Sequence, residues 1–490
     1  MRQLYKNTLL LALTLYYGYE IILGLYQLLG ILRFNHSIFA LTGSFNNPGP
    51  YAGFLAICIN VFIPCLYKDR VHTYTSLSLK IQYWFTLVCT AFAVMILPLT
   101  QSRSAIVATG CSIILFLVGN EEIRPGLIKI IKKYVVLILA GVIFLGIGAY
   151  QFKKPSANGR LFMDKICIKA MCANDWRGAG IGHFGGVYGE TQAYYFMSQA
   201  ENSSIDNLNW GVIDEHDRLT ADCPDNAFNE YLFIGVELGP FVMVLFICIL
   251  VAAIVISFKR HTIWCYGVLS LAVFALFSYP LHVRQFQILL PLMLAGCISD
   301  GNNRKSSLRV VSVVSIIVVL LTIIILKIPG YKDYKRAESA WRMVESWHKR
   351  GWYDYVVESC DTLLPYMKNN RAFLFAFGQS LNKIGNYEKS DSILKMGAVI
   401  SCDPMFWNVM GNNSLALGRF REAEERYEHA FYMVPNRVYP LNLLAKLYHT
   451  EGDTVRFLKI ADKLETFRPK VESENTERLK AEIRDLKAGY

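Results

Sequence analysis

Residues 221–239 read ADCPDNAFNEYLFIGVELG, from Ala221 to Gly239. The first third is polar and rich in turn-forming residues. From Phe228 onward the chain enters an apolar run that continues without an expected break to about residue 257. A helix crossing the hydrocarbon core needs about 20 such residues, because irregular backbone cannot satisfy its polar groups in lipid. The stretch is therefore the point where a long polar loop meets a membrane span, and the rest of the chain is organised around it.

Composition agrees. With 490 residues, 53% hydrophobic, 18% charged and mean hydropathy +0.29, the chain is too apolar for an ordinary soluble protein. The formal charge of +11 does not form one basic patch with interleaved aromatics, so nucleic acid is not an expected partner. Lysine and arginine instead punctuate the gaps between apolar runs. Nine spans are expected, at about 8–31, 51–67, 81–100, 104–119, 134–151, 229–257, 263–281, 285–299 and 309–327. The first is too long and too rich in tyrosine for a cleaved signal. Placing Arg2 and Lys6 inside leaves Lys68, Arg70 and Lys80, then Arg124, Lys129, Lys132 and Lys133, then Lys259 and Arg260, then Arg304, Lys305 and Arg309 on the same side. The outer side then receives 32–50, 100–103, 152–228, 282–284 and everything after about 328.

A second period governs the C-terminal part. Gly351, Gly385, Gly418 and Gly452 recur at spacings of 34, 33 and 34, each between two helical patterns, the period of tetratricopeptide repeats. The third copy is the fullest, with Trp407, Gly411, Gly418, Phe420, Ala423, Tyr427, Ala430 and Pro435. Small residues let paired helices approach, aromatics fill the gaps, and proline ends the second helix. A charged helix at about 473–487 is expected to cap the stack. The fold expected is all-α: a polytopic membrane helix bundle over 1–328 with its large loop at 152–228, then an α-solenoid of tetratricopeptide repeats over 329–490.

Of twelve cysteines, Cys58, Cys65, Cys89, Cys111, Cys248, Cys265 and Cys297 fall in expected spans and behave as small hydrophobes. Cys167, Cys172, Cys223, Cys360 and Cys402 face an oxidising side if the orientation holds, and a bridge from Cys223 to Cys167 or Cys172 would tie the loop ends together. No CxxC pair or histidine cluster has metal-ligand spacing, so no metal and no cofactor is expected.

Four stretches carry candidate chemistry. Asn46-Asn47-Pro48-Gly49-Pro50 forces a tight entrance to the second span; Asn47 and Gly49 offer amide groups to a sugar or phosphate, against the reading of a plain turn. Gln101-Ser102-Arg103-Ser104 puts Arg103 at an outer helix end, where it either snorkels to headgroups or binds a diphosphate as a planar, always charged fork. The 152–228 loop holds Asn158-Gly159-Arg160-Leu161 and a glycine-rich turn from Gly178 to Gly186 that includes His183. Arg160 is a second diphosphate candidate or a structural ion pair; Arg177, His282 and Arg284 are weaker candidates.

The order of these motifs, ending in Asn229-x-x-Leu232 with Gly239 seven residues later, resembles the O-antigen ligase and O-antigen polymerase superfamily over about residues 8–300. That family carries histidine-asparagine-x-x-leucine; here Phe228 stands at the histidine position. The resemblance implies a glycosyltransferase of the bacterial cytoplasmic membrane, needing no metal, that moves a glycan from undecaprenyl diphosphate to a hydroxyl of a lipid core or protein on the periplasmic side. Arg103 and Arg160 would stabilise the leaving diphosphate, and Asn47, Gly49 and His183 would touch substrate. Members usually have more helices before the asparagine-proline-glycine motif than the one here.

Phe228 cannot take a proton, and three substitutes compete. A carboxylate among Asp222, Asp225 and Glu230 is one, with Asp225 a helical turn before Phe228 and Asn229 beside it. His183 or His216 reaching in is another, and positioning alone is the third. Glu237, inside the apolar run, is read as bonding a neighbouring helix. Three functions stay open: a ligase, a repeat-unit polymerase, and a non-catalytic anchor that presents the repeats to a protein partner.

Overall fold

The computed structural model describes residues 8–33, 39, 41–68, 77–152, 154–173, 177–200, 205, 212–298 and 331–489. Every regular element among them is helical. The first twelve α-helices are α1 Thr8–Leu28, α2 Pro48–Lys68, α3 Leu77–Leu99, α4 Arg103–Gly119, α5 Arg124–Phe152, α6 Lys154–Ala173, α7 Phe184–Gln199, α8 Glu215–Thr220, α9 Glu230–Leu238, α10 Pro240–Lys259, α11 Trp264–Ala275 and α12 Arg284–Ile298. Nine more follow between Tyr331 and Lys487. By contacts the chain divides into two compact units, one made of 1–154, 228–231 and 242–322, the other of 155–227, 232–241 and 323–490.

The first unit is a multi-pass membrane bundle built on α2. Along that helix almost every side chain from Tyr51 to Leu66 is buried, with α3, α4 and α11 packed against it. Four helices among the described residues are long and apolar enough to span: Leu9–Leu28, Pro48–Lys68, Leu77–Leu99 and Pro240–Lys259. The pair α4 and the first part of α5, bent by 116°, makes a fifth if counted together. The expected span 309–327 lies outside the described residues.

The two spans expected at 104–119 and 134–151 give one candidate at most, the bent pair, and three other expected spans also differ. The runs at 263–281 and 285–299 yield α11 and α12, of 12 and 15 residues. The run at 229–257 is broken. Gly239 takes φ +90°, a conformation that glycine adopts without strain, and Pro240, which lacks an N–H, begins a new helix. At α5 the non-helical residue is Tyr134 (φ −119°, ψ 21°), where the expected span begins.

In the second unit the nine C-terminal helices pack in sequence, each on the next. The four periodic glycines sit between them at φ +78°, +86°, +71° and +77°. Inside the helices small residues set the spacing: a Cβ on Gly411 would stand 2.3 Å from the Tyr427 ring, and one on Gly378 would stand 2.5 Å from Leu394. The last helix, Glu474–Lys487, is capped by Ser473, whose side chain accepts the Thr476 N–H, and buries Ile483.

Residues 155–227 belong to this unit, and polar bonds hold them there. Gln192 on α7 donates to the Asp222 carbonyl at 3.1 Å and to the Met433 carbonyl. Asn436 donates to the carbonyls of Arg218 (2.9 Å) and Ala221 (2.7 Å). The buried Arg218 guanidinium donates to Arg468 O at 3.1 Å and lies 5.1 Å from the Phe467 ring. Cys223 is bridged to Cys402, 179 residues on. This corrects the expected partners: Cys167 is buried and Cys172 exposed, both as free thiols. Spacing within the loop could not reveal a partner that only the tertiary fold brings to 5.3 Å between Cα atoms.

Candidate active site

The site in the first unit starts with polar residues of α1. Glu20 is fully buried within an apolar helix, and a carboxylate there persists only when hydrogen-bonded. It accepts the Ser44 N–H at 3.0 Å and the Ser44 hydroxyl. One helical stretch further on, the Gln27 carbonyl accepts the N–H groups of Thr42 (3.0 Å) and Gly43 (2.8 Å). Gly43 has φ +55°, and a Cβ there would lie 2.5 Å from both Glu20 and Tyr51. Helix α1 thus fixes the backbone of 42–44, immediately before Asn46-Asn47-Pro48-Gly49. Within that turn the Asn47 side-chain oxygen accepts the Gly49 N–H at 3.0 Å, a local bond that starts α2.

Facing this turn is a second one. Pro280–His282 form a single 3₁₀ turn, Val283 is extended, and Arg284 begins α12. The start of α9 holds it in place: Glu230, 1% exposed, accepts the Leu281 N–H at 2.9 Å, and its other oxygen lies 3.4 Å from His282 Nδ1. Tyr231 donates to the Ala272 carbonyl at 2.8 Å, anchoring α9 on α11. Between the turns is a cavity of about 480 Å³ lined by Ser44, Phe45, Asn46, Asn47, Pro50 and Tyr279, and by His282 through Gln285. Asn47 bridges it, with its amide 3.5 Å from the Tyr279 hydroxyl. Phe228 packs edge-on to Tyr279, ring centroids 5.5 Å apart.

The structure sorts the candidates. Asn47 lines the cavity, Gly49 does not line it and gives its N–H to Asn47, and Glu230 holds the facing turn. Asn229 immediately precedes α9. Arg103 is the first residue of α4, in the same unit, but does not line the cavity. His282 and Arg284, the weaker candidates, do line it. Arg160, His183 and Asp225 belong to the other unit. The expectation that Asp225 lies one helical turn before Phe228 does not hold, because the helix starts only at Glu230; the Asp225 carboxylate meets Arg371 at 2.5 Å. Glu20 and Ser44 were missed, although a lone carboxylate in an apolar run is itself a signal.

In the second unit, the glycine-rich turn serves packing. Ala179 and Gly180 donate to the carbonyls of Val236 and Glu237, both at 2.8 Å, and a Cβ on Gly178 would strike the backbone of 237–239. Glu237 accepts the N–H of Gly182 (2.8 Å) and of Phe184 (3.3 Å). His183 caps α7, with Nδ1 3.1 Å from the Ile181 carbonyl. Among the described residues Asp214, His216 and Asp217 have ligand atoms close enough for a metal, but Asp214 caps α8. Asp217 is engaged by Lys165 (2.8 Å) and Tyr195 (2.6 Å). Burial pushes the Asp217 carboxyl up, and those two partners outweigh it, holding the group below its ordinary range.

Comparison with known proteins bears on the chain between these turns. Residues 87–247 match a family model described as O-antigen ligase. The match covers about a third of the chain and includes Arg103, Arg160, His183, Asp225, Asn229 and Glu230. Both cavity-lining turns lie outside the matched residues, and Glu230, which holds one of them, lies within. No curated protein matches it.

Proposed function

We propose that the protein is a glycosyltransferase of the O-antigen ligase type. It moves a glycan from undecaprenyl diphosphate to a hydroxyl of a lipid core or a protein, on the periplasmic face of a bacterial cytoplasmic membrane. The observation that carries the reading is the cavity between 44–50 and 279–285, backed by α9 of the O-antigen ligase match. It offers the amide of Asn47, the hydroxyls of Ser44 and Tyr279, and the guanidinium of Arg284, groups suited to a sugar and to a leaving diphosphate. Arg103 and Arg160 remain diphosphate candidates on the order of the sequence motifs. No metal or cofactor enters the reading.

In the same reading residues 329–490 are a periplasmic tetratricopeptide-repeat domain. Its helices hold the chain's own 155–227 segment, so its first partner is intramolecular, and a protein acceptor would meet the surface that remains. The polymerase and the anchor are the alternatives; Phe228 is the observation that favours the anchor. A bacterium lacking the protein, complemented with wild type or with Arg284→Ala, separates them on a surface-glycan gel. Ligase activity predicts a polysaccharide ladder with wild type and polymer left on carrier lipid with the variant. Single repeat units on the acceptor would indicate a polymerase, and an unchanged ladder in the deletion strain would leave only the anchor.

A further inference from the structure

We infer that His282, oriented by Glu230, is the general base that removes the acceptor proton, in place of the histidine absent at 228. This rests on the glycosyl-transfer reading above and names a residue outside the stretch matched to the O-antigen ligase family.

Three observations converge. His282 lines the cavity that also holds Asn47 and Arg284, and its side chain is 28% exposed, so solvent and an acceptor can reach it. Its Nδ1 faces a Glu230 carboxylate that is 2% exposed at the side chain and is itself locked by the Leu281 N–H. A carboxylate on Nδ1 selects the tautomer whose Nε2 carries the lone pair, and stabilises the imidazolium once that nitrogen is protonated. Finally, Phe228 packs on Tyr279, three residues before His282. The residue at the family's histidine position thus buttresses the turn that presents another histidine.

The step balances simply. The acceptor oxygen bonds to the anomeric carbon as its proton passes to Nε2 of His282. The bond from that carbon to the diphosphate oxygen breaks, and its electron pair leaves with the phosphate. The imidazolium then returns the proton to water. Glu230 never touches the reactants in this scheme; it is a positioning residue. Asp225, the other carboxylate considered, belongs to the second unit and is paired with Arg371.

The test uses the full chain in lipid nanodiscs, with lipid-linked saccharide extracted from a strain lacking the protein and that strain's own acceptor. Initial rates of transfer are measured across pH. His282→Gln is expected to lose about 10²-fold or more in kcat with KM little changed, and to lose the acidic limb of the pH profile. Glu230→Gln is expected to lose less and to shift that limb. His282→Ala is expected to regain activity with added imidazole, an effect that a purely structural role would not produce. A His282→Gln protein that transfers at the wild-type rate with an unchanged pH profile overturns the assignment while leaving glycosyl transfer standing. So does a His282→Ala protein that keeps wild-type melting but is not rescued. Wild type that transfers nothing brings down the functional reading and the base with it.

Discussion

The two compact units solve the same problem, fixing an irregular segment against helices, with opposite materials. In the membrane bundle the helices turn apolar residues outward as well as inward: along α10 only 17% of the span is buried, at a mean hydropathy of 3.2. Among the described residues its buried carboxylates are Glu20 and Glu230. Glu20 and Gln27 hold 42–44, and Glu230 holds the Leu281 N–H. In the second unit the apolar residues face inward, as Ala423, Tyr427, Ala430 and Phe431 do. There the 155–227 segment is fastened at many points, by side chains bonded to backbone carbonyls and by one covalent bridge. In the bundle two buried carboxylates each fasten a turn, because burial keeps water from competing for their hydrogen bonds; the longer 155–227 segment takes several buried side chains, Gln192, Arg218 and Asn436, and a disulfide.

The contrast can be broken deliberately. The largest effect is expected from Cys402→Ser. Releasing a closed loop of this length costs about 2–5 kcal/mol, read as a lower unfolding midpoint of the second unit that reductant no longer changes. Next comes Glu20→Ala, which leaves the half-buried Ser44 N–H without its carboxylate acceptor at about 1–3 kcal/mol. Transfer activity should fall sharply while the Cys223–Cys402 bridge still forms on a non-reducing gel. Gly186→Ala should cost about 1–3 kcal/mol, because the new Cβ would lie 2.0 Å from the Val399 carbonyl oxygen. Limited proteolysis would then cut within 155–227 first, with the bundle intact.

The smallest effect is electrostatic. Burial pushes the Asp222 carboxyl up, but the Lys470 ammonium, the Cys223 N–H and the nearby Arg437 outweigh it and hold it below the usual range. A depressed carboxylate stabilises the fold above its unfolded value of about 3.9 and loses that contribution as pH falls through the folded value. Proteolytic resistance of 155–227 should therefore weaken slightly below about pH 4, and Lys470→Ala should flatten that dependence. At 61% side-chain exposure for Asp222, water screens most of the pair.

What was legible in the sequence follows from range. Apolar runs announced α1 to α4 because a span is a local property, and the glycines at 351, 385, 418 and 452 announced their turns because left-handed φ is local too. The break at Gly239 was visible in the Gly239-Pro240 pair but was overridden by the apolar run around it. The cavity was half legible: Asn47 and Gly49 form a bond with each other, whereas Glu230 and His282 meet only through the packing of α9 beside α11. Cys223 and Cys402 are further apart still, and no spacing rule connects them.

That bridge also counts membrane crossings. A disulfide joins only thiols in the same compartment, so the chain leaving Cys223 must return to that compartment by Cys402. The number of crossings between them is therefore even. An odd count from any mapping of residues 224–401 would contradict the bond, which makes one covalent link a parity check on the topology of more than a third of the protein.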